Sequence, residues 1–86
     1  MPGISRFSGV TIRMFYGDHL PAHFHAEYGD EQCVYGIATL GALRGALPRR
    51  AHAMVVEWAS LHRLELEDDW LRAVEGLPLV SIEPLE

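Results

Sequence analysis

Residues 10–28 read VTIRMFYGDHLPAHFHAEY, two alternating segments joined by a short loop, and the fold follows from how they pair. From 10 to 16, Val10, Ile12, Met14 and Tyr16 fall on one side, and Thr11, Arg13 and Phe15 on the other. Gly17, Asp18 and Pro21 break the pattern, which marks residues 17–22 as a loop. From 23 to 28 the alternation resumes, with Phe24, Ala26 and Tyr28 against His23, His25 and Glu27. If Met14 faces Phe24, then Ile12 faces Ala26 and Val10 faces Tyr28, so every apolar residue lies on one face. The opposite face then pairs Phe15 with His23, Arg13 with His25 and Thr11 with Glu27. A one-residue slip would mix the faces and lose burial.

Working outward, Gly29–Asp30 signals a turn. Residues 33–39 read as a third strand and 43–47 as a short fourth. Tyr28 opposite Cys33 would put Gly36 over His25 and leave open space there. Pro48 suits the first turn of a helix, where its missing N–H has no partner to lose. Ala51, Met54, Val55, Trp58 and Leu61 recur at helical spacing and should face the sheet. Leu66, Trp70, Leu71 and Val74 form a second stripe out of phase with the first. That predicts a break or kink near residues 63–65, with Asp68 and Asp69 near the start of the second helix, and a stop at Gly76 and Pro78. The expectation is one α+β domain over residues 1–86. A three- to four-stranded antiparallel meander is followed by two helices, or one kinked helix, on its apolar face.

Composition narrows the function. The 86 residues are 49% hydrophobic, enough for a core in one small domain. Cys33 is the only cysteine, so no internal disulfide forms. With no signal-like or membrane-spanning apolar run, the reading is a cytoplasmic protein. Net charge is -5 and lysine is absent. Residues 1–50 carry five arginines against four acids, and residues 51–86 carry two arginines against eight acids. This is not the basic footprint of a generic nucleic-acid binder. Leu79, Val80, Ile82 and Leu85 form an apolar terminus, so the tail or the second helix is expected to meet a small protein partner or a second copy.

The chemistry is concentrated in DHLPAHFH, which holds His19, His23 and His25. Histidines two apart on a strand point the same way, about 7 Å apart at Cα, a spacing that suits metal chelation. His19 would reach in from the loop, and Glu27 would be a fourth ligand or an orienting group, for zinc or a similar divalent ion. The metal-free alternative uses His23 and His25 as acid and base with Arg13 holding a phosphate, the ingredients of RNA cleavage. Arg49 and Arg50 would then bind flanking phosphates. Surface histidines with ordinary hydrogen bonds remain a third reading of the same residues.

PGISRF at 2–7, IRMFYGDHLPAHFHAEYG at 12–29, LPRRA at 47–51, VVEWASLHRLEL at 55–66 and the closing IEPLE together resemble a small bacterial family called domain of unknown function 4160. Ala22 departs from the family pattern, which has a second proline there. The resemblance implies a gene paired with one of the family called domain of unknown function 2442, a layout like that of toxin–antitoxin pairs. It thereby implies the toxin-like or partner-binding half of such a pair, and the histidine chemistry above makes the toxin-like reading an RNA-cleaving one. The alternative is a non-catalytic metal- or protein-binding module.

Overall fold

A computed structural model describes residues 3–85. Its elements are β1 (Gly3–Phe7), β2 (Val10–Arg13), β3 (His23–Tyr28), β4 (Glu31–Gly36), β5 (Ala42–Gly45), α1 (Arg49–Leu61) and α2 (Arg63–Glu75). The five strands form one antiparallel sheet in the order β1-β2-β3-β4-β5. The fold is α+β, with five strands where the sequence suggests three or four.

The additional strand is β1. Its register slips between Gly3 and Ser5, so Ile4 is the extra residue, and Ile4 and Phe7 are both buried although three apart. A bulge of this kind breaks the period of two that alternation relies on. Ser8 and Gly9, both at positive φ, then close a two-residue hairpin between Phe7 and Val10.

Between β2 and β3 the expected register is observed, with Val10 opposite Tyr28, Ile12 opposite Ala26 and Arg13 opposite His25. The ladder stops at Arg13, so the pairings of Met14 with Phe24 and Phe15 with His23 do not form, although Met14 is still buried. Between β3 and β4 the expected register is corrected by two residues. Tyr28 pairs with Glu31, Ala26 with Cys33 and Phe24 with Tyr35. Gly29, at φ 60°, lets Gly29–Asp30 turn the chain in two residues. A two-residue shift keeps every side chain on its face and so leaves the burial pattern unchanged. It does move the neighbours: Val34 lies opposite His25, and Gly36 opposite His23. The open space expected above His25 is therefore absent, and Gly36 instead sits against Thr39 and Leu43.

α1 buries Ala51, Val55, Trp58 and Ala59. Trp58 lies 5.5 Å from the Phe7 ring and 6.0 Å from that of Phe24, which seats α1 on the apolar face of the sheet. α2 buries Leu66, Asp69, Trp70 and Ala73. The helices part at His62, next to the expected break, but for a different reason. Leu61, Leu71 and Val74, which carry the apparent phase change, are exposed. A straight helix over residues 49–75 would run about 40 Å at 1.5 Å per residue. The longest dimension of the molecule is 33 Å, so the chain must turn to keep both halves buried. Asp68 and Asp69 consequently lie in the middle of α2, not at its start. Gly76, at φ 73°, ends α2 as expected.

The tail, described over residues 77–85, forms no strand. It lies on its own domain: Ile82 is buried and donates its N–H to the Ile4 carbonyl at 2.8 Å, and the Trp58 indole N–H donates to the Glu83 carbonyl at 2.8 Å. Among the described residues, no helix is long and apolar enough to cross a membrane.

Candidate functional site

The site forms where β3 leaves the loop of residues 14–22. The β2–β3 register turns His23 and His25 to the same side of the strand. Their rings are 5.2 Å apart. Gly17, at φ 74°, turns the loop and Leu20–Pro21 is cis. The Pro21 carbonyl accepts from Nδ1 of His23 at 2.7 Å. A carbonyl oxygen can only accept, so Nδ1 of His23 carries a hydrogen; Nε2, which faces the Asp18 carboxylate, is the second donor. Nε2 then points away from the loop backbone, toward Asp18.

Asp18 completes the cluster. Its Oδ2 lies 2.8 Å from Nε2 of His23 and 3.2 Å from Nε2 of His25. Asp18 is the principal site residue that strand alternation does not reveal, because it lies on the loop. The legible signal was its spacing, five and seven residues before two histidines that share a face. Burial by itself would raise the Asp18 pKa. The hydrogen bonds from His25 and His23, with their charges, outweigh that and hold the carboxyl below its ordinary range.

The surroundings of the two histidines differ. His23 is 3% exposed, with the Trp70 ring of α2 at 5.2 Å, so it is more enclosed than a residue on a solvent-facing strand. His25 is half-buried and meets the edge of Phe15 at 4.6 Å. A pocket of about 200 Å³ opens beside His23, lined by His19, Pro21, Val34, Leu43 and Arg44.

The remaining candidates lie around this cluster. His19 is exposed on the loop, its Nδ1 donating to the Leu20 carbonyl at 3.1 Å and its ring 5.8 Å from that of His23. Arg13 stands opposite His25 in the ladder, but it forms an ion pair with Glu27, its Nε 3.1 Å from the carboxylate. Arg13 and Glu27 thus engage each other. Arg49 and Arg50 are exposed at the start of α1. Asp18, His23 and His25 are the residues whose ligand atoms converge, all within 4.8 Å of one another.

Chemically, two imidazoles and a carboxylate that share a focus suit a divalent transition metal, with positions left for water or substrate. The same three groups also form an acid–base cluster, with Asp18 orienting either ring. A model of the family described as Domain of unknown function (DUF4160) matches residues 9–71, a span that includes the whole cluster. No curated protein and no solved structure matches the chain.

Proposed function

We propose, for a chain that belongs to the DUF4160 family, a role as a small metal-binding module in which Asp18, His23 and His25 hold a divalent transition-metal ion. The observation that carries this reading is the convergence of Nε2 of both histidines on one carboxylate oxygen. In a tetrahedral site with bonds of about 2.0–2.1 Å, neighbouring donor atoms lie roughly 3.3 Å apart. The His25–Asp18 separation of 3.2 Å already has that value, and the His23–Asp18 separation of 2.8 Å needs to open only slightly. The Nδ1–H bond from His23 to Pro21 is the outer hydrogen bond that a metal-ligating imidazole ordinarily makes; it presents Nε2 as the ligand atom. Three protein ligands leave a coordination position open, the arrangement of a catalytic site rather than a closed structural one. His19 stands at the rim, where a turn of its side chain away from Leu20 would supply a fourth ligand.

Metal-free RNA cleavage by His23 and His25, the toxin-like reading, has less support. A phosphate would meet the Asp18 carboxylate between the two imidazoles, and the guanidinium expected to attract it is engaged by Glu27. The deciding experiment is a zinc titration by calorimetry beside an RNA cleavage assay with and without EDTA. The metal reading expects binding near 1:1 and at least a 100-fold loss of affinity in both Asp18→Asn and His25→Ala. Cleavage that persists in EDTA and is abolished by His25→Ala would replace it with acid–base chemistry.

A further inference from the structure

A second site lies away from the histidines, where the tail crosses α2. Asp69 is the other polar residue besides His23 that is buried among the described residues, at 1% exposure. Its Oδ1 accepts the Val80 N–H at 2.8 Å, which fastens the tail to α2. Its Oδ2 is buried and has no hydrogen-bond partner. Asp69 lines a pocket of about 260 Å³ together with Leu64, Glu65, Asp68, Val80 and Ile82.

A buried carboxylate oxygen with no partner is costly and calls for a compensating group. Burial pushes the Asp69 carboxyl above its ordinary range, although the Val80 N–H pulls the other way. The neighbouring acids are each engaged through one oxygen: Glu65 accepts from His62, and Asp68 accepts from Nε of Arg72 at 2.9 Å. The one remaining oxygen of each, with Oδ2 of Asp69, is short of the six to eight that a hard cation such as calcium takes. The pocket is also below the roughly 300–1,000 Å³ of a drug-sized ligand site, and it is close to the needs of one long side chain. Its walls of Leu64, Val80 and Ile82 suit an apolar stem. Leu64 and Val80 remain 80% and 50% exposed at its rim, free to cover a neighbouring residue.

We infer that this pocket receives an arginine side chain of a partner protein, whose guanidinium pairs with Asp69 while its stem lies against Leu64, Val80 and Ile82. Arginine fits better than lysine because its guanidinium is planar, weakly hydrated and able to meet a carboxylate in a fixed geometry. Charge favours the same occupant. Residues 51–86 carry eight acids against two arginines, so this half of the molecule attracts a basic segment. The inference is independent of the metal centre.

The test is a titration of the full, isotope-labelled chain with Nα-acetyl-arginine methylamide, followed by amide NMR. The uncharged citrulline analogue serves as the control. Saturable shifts centred on the Val80 amide and on residues 64–69 are expected, at least tenfold weaker with citrulline. Asp69→Asn keeps an oxygen for the Val80 N–H and should weaken the arginine response at least tenfold. Equal responses to arginine and citrulline, or none that saturates, would overturn the inference, and that comparison needs no variant to fold. Sedimentation adds one more outcome. Self-association of the native chain that disappears in Asp69→Asn would put a second copy's arginine in the pocket and overturn a foreign partner.

Discussion

Replacing Trp58 by phenylalanine and by alanine separates two tasks of one side chain: filling the core under β3 and fastening the tail. Trp58 is fully buried against Phe7, Phe24 and His62, and its indole N–H donates to the Glu83 carbonyl. A buried aromatic of about 150–250 Å² at about 25 cal/mol per Å² is worth at most roughly 4–6 kcal/mol. Measured losses for tryptophan-to-alanine changes in cores run about 3–5 kcal/mol. An 86-residue domain at about 0.05–0.15 kcal/mol per residue has roughly 4–13 kcal/mol in total, so Trp58→Ala should sit near the edge of unfolding. Trp58→Phe keeps one ring in the core. It gives up the indole hydrogen bond, about 0.5–1.5 kcal/mol, and about another 1 kcal/mol of lost packing, so about 2 kcal/mol in all. At about 4–8 °C per kcal/mol, its melting temperature should fall by roughly 8–16 °C. Urea denaturation followed by circular dichroism measures the loss, and amide hydrogen exchange localises it. The Ile82 amide, bonded to Ile4, should lose protection in Trp58→Phe well before the amides of β3 do. A loss below about 0.5 kcal/mol, or Ile82 protection that falls only in step with β3, would mean that the indole does not hold the tail.

Two further predictions concern the loop and the sheet edge. Because the Asp18 carboxyl is held below its ordinary value of 3.8, its contribution to stability is present above that value and disappears as pH falls through the lower, folded-state value. Melts of the native chain and Asp18→Asn in EDTA, from pH 2 to pH 6, should therefore diverge as pH rises through about 4 and coincide at the acid end; a constant gap would show that the carboxylate charge is not what holds the two imidazoles. Gly45 has φ 79°, and a Cβ there would drive into the Gln32 carbonyl, so Gly45→Ala should cost more than about 2 kcal/mol in urea unfolding, and a neutral result would contradict the β4–β5 pairing.

How far the molecule was legible depended on whether a feature repeats along the chain. In β2 and β3 it does, and alternation set both the faces and their mutual register, because a one-residue error would put apolar side chains on the wrong face. The shared orientation of His23 and His25 follows from the same period. Helical spacing likewise placed Ala51, Val55 and Trp58 against the sheet. The bulge at Ile4 hid β1, since one extra residue cancels the period that would reveal it. The β3–β4 register was open to a two-residue error because an even slip changes neighbours without changing faces.

The sequence by itself therefore determined the α+β class, the central strand pair and the face that carries the histidines. These depend on local periodicity and on which residues avoid water. Only the tertiary structure decided which acid joins those histidines. Glu27, in line with them on the strand, turns to Arg13, while Asp18 returns from a loop whose path is set by long-range packing. It also decided the partners of Asp69. Helical spacing puts Asp69 in the stripe of Leu66, Trp70 and Ala73 and leaves Asp68 outside it, but spacing does not say what meets the carboxylate. A tail residue eleven positions further on crosses that turn of the helix and takes up one of the two Asp69 oxygens, leaving the other buried without a partner.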